Sequence, residues 1–201
     1  MSMQSSIHPY FNWAKERLDE MDATLASLEG KVGEVQADAR AKADNILADL
    51  RKKREDFQDI VKKQSQVSET AWASAKAQLE SDWNAFEAEV KKYVENFGKQ
   101  IEQQKAIFAL QSAAQLKAWH EAADKFAGAA KEYATERRGE IDTVVKQMKT
   151  DAATAEETLQ KLTQAGNQSW TALTAALNET RAAFDRADQA AREAFKKATA
   201  A

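Results

Sequence analysis

The sequence predicts an all-α protein: an elongated antiparallel coiled-coil or helical bundle of about three long helices, over 10–64, 68–165 and 168–198. Three observations carry this. The 201 residues include one proline and six glycines, so few positions can build turns. Alanine, the best helix former, is the commonest residue. Large apolar residues recur in alternating steps of three and four, the period of a helical seam. They are sparse overall, but an elongated helical protein buries only a narrow stripe. A formal net charge of −3 with 8% aromatics is not the composition of a disordered chain.

Residues 1–9 read as a flexible lead, with Ser5, Ser6 and Pro9 suited to a helix start. From Tyr10 a seam runs through Leu18, Met21, Leu25, Leu28, Val32, Val35 and Ala39, with charged residues between. Gly30 and Gly33 each cost roughly 1 kcal/mol relative to alanine. The seam keeps its phase across them, so they read as tolerated within one helix. It resumes at Ile46, Leu50, Phe57 and Val61. The polar stretch KKQSQVSET (62–70) offers Ser65 and Ser68 as helix caps and places the first reversal near residue 66.

The second helix carries Leu79, Trp83, Phe86, Val90, Tyr93 and Phe97, then Phe108, Leu116, Trp119, Ala123, Phe126, Ala130 and Tyr133, and continues to Leu162. Gly98, Gly128 and Gly139 lie within it without shifting the phase. LTQAGNQSW (162–170) is the clearest punctuation. Gly166 can take the left-handed conformation that closes a helix, and Asn167 or Ser169 can cap the next one. The last helix presents Trp170, Leu173, Leu177, Phe184, Ala187, Ala191 and Phe195. Residues 199–201 fray, leaving one elongated domain over 10–198.

Seven-residue ladders stand out along these helices. Trp72, Leu79 and Phe86 recur ninety-eight residues on as Trp170, Leu177 and Phe184, and Trp119, Phe126 and Tyr133 form a third set. Side chains seven apart share one stripe of a helix, and each buried aromatic contributes on the order of 2–3 kcal/mol. With Trp83, Tyr93 and Phe195 they are the candidate helix-packing and interaction residues.

Little in the sequence points to catalysis. No cysteine is present, which excludes disulfides and thiolate chemistry and fits a reducing compartment. His8 and His120 lack the Glu three residues before them that a di-iron helical site needs. No phosphate loop or zinc-protease motif occurs. No catalytic, cofactor-binding or metal-ligating residue is assigned, and no cofactor is expected. Asp19, Glu20 and Asp22, like Glu156 and Glu157, read as solvated faces. RKKRED (51–56) reads as a salt-bridged surface. The mild negative charge argues against nucleic acid as a partner. No run of about 20 apolar residues suits a membrane span, and the N-terminus lacks a signal-peptide pattern, so a cytoplasmic location is expected.

The function these features suggest is non-catalytic: a scaffold, spacer or self-assembling coat acting through its heptad aromatic seams. Its partner would be a second copy or another helical protein. The alternative is a peripheral protein of a lipid or hydrophobic granule surface, with 170–195 as the contact. That helix carries Arg181, Arg186, Arg192, Lys196 and Lys197 mixed with Glu179, Asp185, Asp188 and Glu193 on its polar face. In pattern alone, such long alanine-rich amphipathic helices resemble those of apolipoproteins and of phasins, which coat polyester granules. No motif specific to either is present.

Overall fold

The structure is a computed structural model that describes residues 11–64, 69–97 and 101–200. Among them the order is α1 (Phe11–Lys31), a 3-10 turn (Val32–Glu34), α2 (Ala37–Gln64), α3 (Glu69–Phe97), α4 (Ile101–Ala130), α5 (Thr135–Gln164) and α6 (Trp170–Ala200), with no strand. The all-α class is observed, but six helices stand where about three were expected. The lead over 1–9, the caps Ser65 and Ser68, and Gly98 lie outside the described residues.

The three additional helices come from three breaks: one at 98–100, outside the described residues, and two that the structure describes. At the first of these two, the α-helix ends at Lys31 and the chain passes through the 3-10 turn Val32–Glu34. Val35 is extended (φ −72°, ψ 136°), and the Arg40 guanidinium donates to the freed Gly33 carbonyl at 2.9 Å. Two glycines weaken the helix there, and a side chain satisfies the carbonyl that the break exposes. At the second, the N–H groups of Lys131, Glu132 and Tyr133 donate to the carbonyls of Gly128, Ala129 and Ala130. These bonds tighten the end of α4. Tyr133 then packs on Phe195, centroids 5.6 Å apart, with its hydroxyl 3.0 Å from Thr199 Oγ1. Tertiary contacts hold this break, so local propensity did not reveal it. The turn at 165–169 follows its sequence signals. Gly166 has φ +67°, and Ser169 Oγ accepts from the Ala172 N–H at 3.2 Å.

The described helices gather into two compact units. The first unit is Arg17–Gln111. Within it α2 and α3 run antiparallel, with Lys42 near the start of one bonded to Asn96 near the end of the other. Arg54 and Arg51 of α2 tie to Asp22 and Glu29 of α1. The second unit joins Ser112–Ala201 to the chain up to Glu16. Here α5 and α6 are antiparallel, Glu140 pairing with Lys197 at 2.8 Å. Its core combines Trp119, Phe126, Ile141, Met148, Phe184 and Phe195 with a bed of alanines.

The ninety-eight-residue spacing of the Trp–Leu–Phe ladders extends well beyond them. It relates the start of α2 at Ala37 to the start of α5 at Thr135. It relates Gly30, Glu34, Arg40 and Asp44 to Gly128, Glu132, Arg138 and Asp142. Buried positions correspond too: Met21 with Trp119, Leu28 with Phe126, Ala43 with Ile141, and Leu50 with Met148. The order α1–α3 is thus followed by a similar order, α4–α6, with part of its pattern repeated at this spacing.

Glycine substitutions test these breaks. Gly166→Ala forces a side chain into positive φ and should destabilise the protein by about 1 kcal/mol. Gly139→Ala, inside α5 with open space at its Cβ position, should stabilise by roughly 0.5–1 kcal/mol. Urea denaturation followed by circular dichroism reads both signs.

Candidate functional site

The candidate residues occupy seam faces of α3, α4 and α6. In the first unit Trp72, Leu79, Trp83, Phe86 and Tyr93 are all buried. Trp83 and Phe86 stack with centroids 5.9 Å apart, and Tyr93 meets Phe97 edge-on at 5.2 Å. Burial, followed by the nearby anions Asp44 and Glu34, raises the Tyr93 phenol above its ordinary pKa. The facing helix, α2, supplies Ile46, Leu47, Leu50 and Phe57. In the second unit Trp119, Phe126, Leu177, Phe184 and Phe195 are buried, whereas Tyr133 and Trp170 are half-buried. Trp119 meets Phe184 edge-on, and Phe126 lies beside Phe195, each pair at 5.6 Å. The ring contacts named here each fall within one unit. Leu110 alone among the described large apolar side chains is exposed.

What sequence reasoning missed is a buried polar layer. In the first unit Arg17, Glu20, Thr24, Ser27 and Gln111 are buried. Gln111 Nε2 donates to Thr24 Oγ1 at 2.9 Å, and that hydroxyl donates to the Glu20 carbonyl at 2.7 Å. In the second unit Glu16, Ser112, Gln115, Thr180, Arg181 and Asp188 are buried. Asn12 Nδ2 donates to Asp188 Oδ1 at 3.0 Å. Arg192 Nε lies 3.1 Å from the other carboxylate oxygen. Arg181 Nε lies 4.0 Å from Glu16 Oε1, and Gln115 Nε2 donates to the Leu177 carbonyl at 3.1 Å. Arg181 and Asp188 had been placed on the solvated face of the last helix; they are in its buried stripe. The spacing held the signal, because Leu177, Arg181, Phe184, Asp188, Ala191 and Phe195 alternate steps of four and three.

Outside this layer the charges pair at the surface. Lys15 holds Glu121 at 2.8 Å, and Lys149 holds Asp124 at 2.9 Å. The hydrogen bond from the partner lysine lowers the pKa of each carboxylate. In RKKRED, Lys52 pairs with Asp56 one turn on, while Arg51 and Arg54 reach α1. His120 is exposed, 3.9 Å from Glu156, and His8 lies outside the described residues. No cluster of three or more metal-ligating side chains occurs among the described residues.

One groove of about 650 Å³ opens between α5 and α6, floored by Met148 and Ala187 and walled by Val144, Ala155 and Ala183. Ninety-eight residues before Ala155 stands Phe57, which is fully buried. The groove's polar rim, including Asp151, Glu179 and Arg186, carries both signs of charge.

Comparison with protein-family models, with curated proteins and with solved structures finds no match.

Trp119→Ala should cost roughly 3–5 kcal/mol, as truncation of a fully buried aromatic does. Trp170→Ala, half-buried, should cost clearly less in the same denaturation assay. Glu121 and Asp124 have lowered folded pKa values, so their contribution is present above the ordinary carboxyl range. It is lost as pH falls through the folded values. Glu121 is partly exposed and Asp124 exposed, so Glu121→Gln with Asp124→Asn should remove no more than about 1 kcal/mol at neutral pH. The difference from the parent should shrink as pH falls below the ordinary carboxyl range and vanish once the parent carboxylates are protonated.

Proposed function

We propose that this chain is a non-catalytic structural protein: an elongated, coiled-coil-like helical scaffold, spacer or self-assembling coat that works in the cytoplasm. The observation that supports this most is the use of the ladder residues. The large side chains that the sequence spends on its seams pack helix against helix, and they define a shape instead of lining a reaction site. The outer faces are charged with interspersed signs, which suits contacts with a second copy or another helical protein.

A second reading has its own support. Over its whole length α6 segregates Leu173, Leu177, Phe184, Ala187, Ala191 and Phe195 from a charged face, as helices lying in a lipid or hydrophobic granule interface do. No helix among the described residues is long and apolar enough to cross a membrane, so contact of this kind would be peripheral.

Tryptophan emission and circular dichroism in the presence of neutral vesicles, anionic vesicles or hydrophobic particles separate the two. A scaffold should show no change in either signal. A blue shift abolished by Trp170→Phe would overturn the scaffold reading in favour of surface binding.

A further inference from the structure

The groove between α5 and α6 carries three features that the packing of the second unit leaves unused. Along α6, Ala176, Ala183 and Ala190 line it at seven-residue spacing. Glu179 and Arg186 stand between them on the same face. Together these five alternate steps of three and four. They form a second seam on α6, beside the buried stripe of Leu177, Phe184 and Ala191. The second feature is the charge on that seam. Glu179 and Arg186 are exposed, and neither forms an ion pair or hydrogen bond among the described residues. Other surface charges of this unit are paired, Lys197 with Glu140 and Lys149 with Asp124. The third feature is Thr180, which lines the groove with only 7% of its surface exposed. Across from it on α5, the hydroxyls of Thr143, Thr154 and Thr158 donate to carbonyls four residues earlier. Thr180 makes no hydrogen bond through its hydroxyl among the described residues. A largely buried hydroxyl without a partner favours an occupant that brings polar groups.

The shape of the groove suits a helix. From Ala176 to Ala190 it runs about 21 Å, roughly four helical turns. Small side chains along that length let a second backbone approach closely. The charges decide which helix. Glu179 and Arg186 have opposite signs and lie seven residues apart. A two-fold axis beside Ala183 would set α6 against a second α6 running the other way. Glu179 then faces the partner's Arg186, and Arg186 faces the partner's Glu179. A parallel pairing in register would instead set like charges together, which repels. We propose that the α5/α6 groove is a self-association surface: α6 of a second copy lies antiparallel in it, and two reciprocal ion pairs fix the register. The contact is isologous, so each copy offers the same groove and the same helix. This rests on the scaffold reading and names its partner as a second copy. The buried aromatic seams stay within each chain. No tryptophan lines the groove, so association there leaves tryptophan emission unchanged.

Sedimentation velocity on the full chain, over roughly 1–100 μM protein, tests the surface, since a partly polar interface of this kind associates weakly. The parent should pass from monomer to dimer across the series. Glu179→Arg and Arg186→Glu, each alone, should weaken the dimer at least about tenfold, because each replaces both ion pairs by like charges. The chain carrying both substitutions should dimerise again. An equal mixture of the two single variants should form a heterodimer, because all the charges of one seam then oppose those of the other. Both positions are exposed, and circular dichroism checks that each variant keeps its helices. A parent that stays monomeric throughout overturns the proposal, whatever the variants do, and leaves a spacer that needs no second copy. A parent dimer that the single substitutions leave intact also overturns it, while self-assembly then stands through another surface. Loss of the dimer in the single variants, with no recovery in the double variant or the mixture, overturns the antiparallel register and the proposal with it.

Discussion

The scarcity of large side chains sets the terms for this structure. In an alanine-rich chain, most helix positions offer a single methyl group to a neighbour, and a methyl removes little area from water. Cohesion then depends on the few aromatic and branched residues, and these must all fall where helices meet. They do so at seven-residue intervals, alternating with intermediate seam positions. Trp119 against Phe184 and Phe126 against Phe195 show the result in the second unit, with alanines bringing the backbones close between them. In the first unit Leu79, Trp83, Phe86 and Val90 meet the apolar face of α2 in the same manner.

Because the seams carry the cohesion, the helices can break wherever their ends find other partners. The phase of the apolar pattern was legible in the sequence, and so was the turn at Gly166, whose signals are local. The break after Lys31 was not, since the seam's phase continues through Val32 and Val35 even though the backbone turns. Only the Arg40 bond to Gly33 reveals how the freed carbonyl is satisfied. The break before Thr135 depends on Tyr133 reaching α6, a contact sixty or more residues away in sequence that no local pattern encodes. Arg181 and Asp188 were misplaced for a related reason. Their spacing marks them as seam residues, but a charge is assigned to solvent unless its partner is known, and Glu16 and Asn12 lie at the far end of the sequence.

The ninety-eight-residue spacing ties these points together. The two halves share ladder positions and one helix start. They differ elsewhere: Phe57 stands where the second half has Ala155, and Trp83 and Val90 where it has Arg181 and Asp188. Residues shared by the two halves hold the shape, and the rest are free to set how firmly each part is closed. The two functional readings differ mainly on that second property, since a surface-binding helix must leave its unit and a spacer helix must not.

The central claim is that the aromatic seams are satisfied within one chain. A dilution series from micromolar to low nanomolar protein, followed by tryptophan emission maximum and helical circular dichroism, tests it most directly. If Trp72, Trp83 and Trp119 are buried by their own chain, both signals stay constant across the series. A red shift of the emission with loss of helicity on dilution would show that the seams close between chains, and would contradict the account.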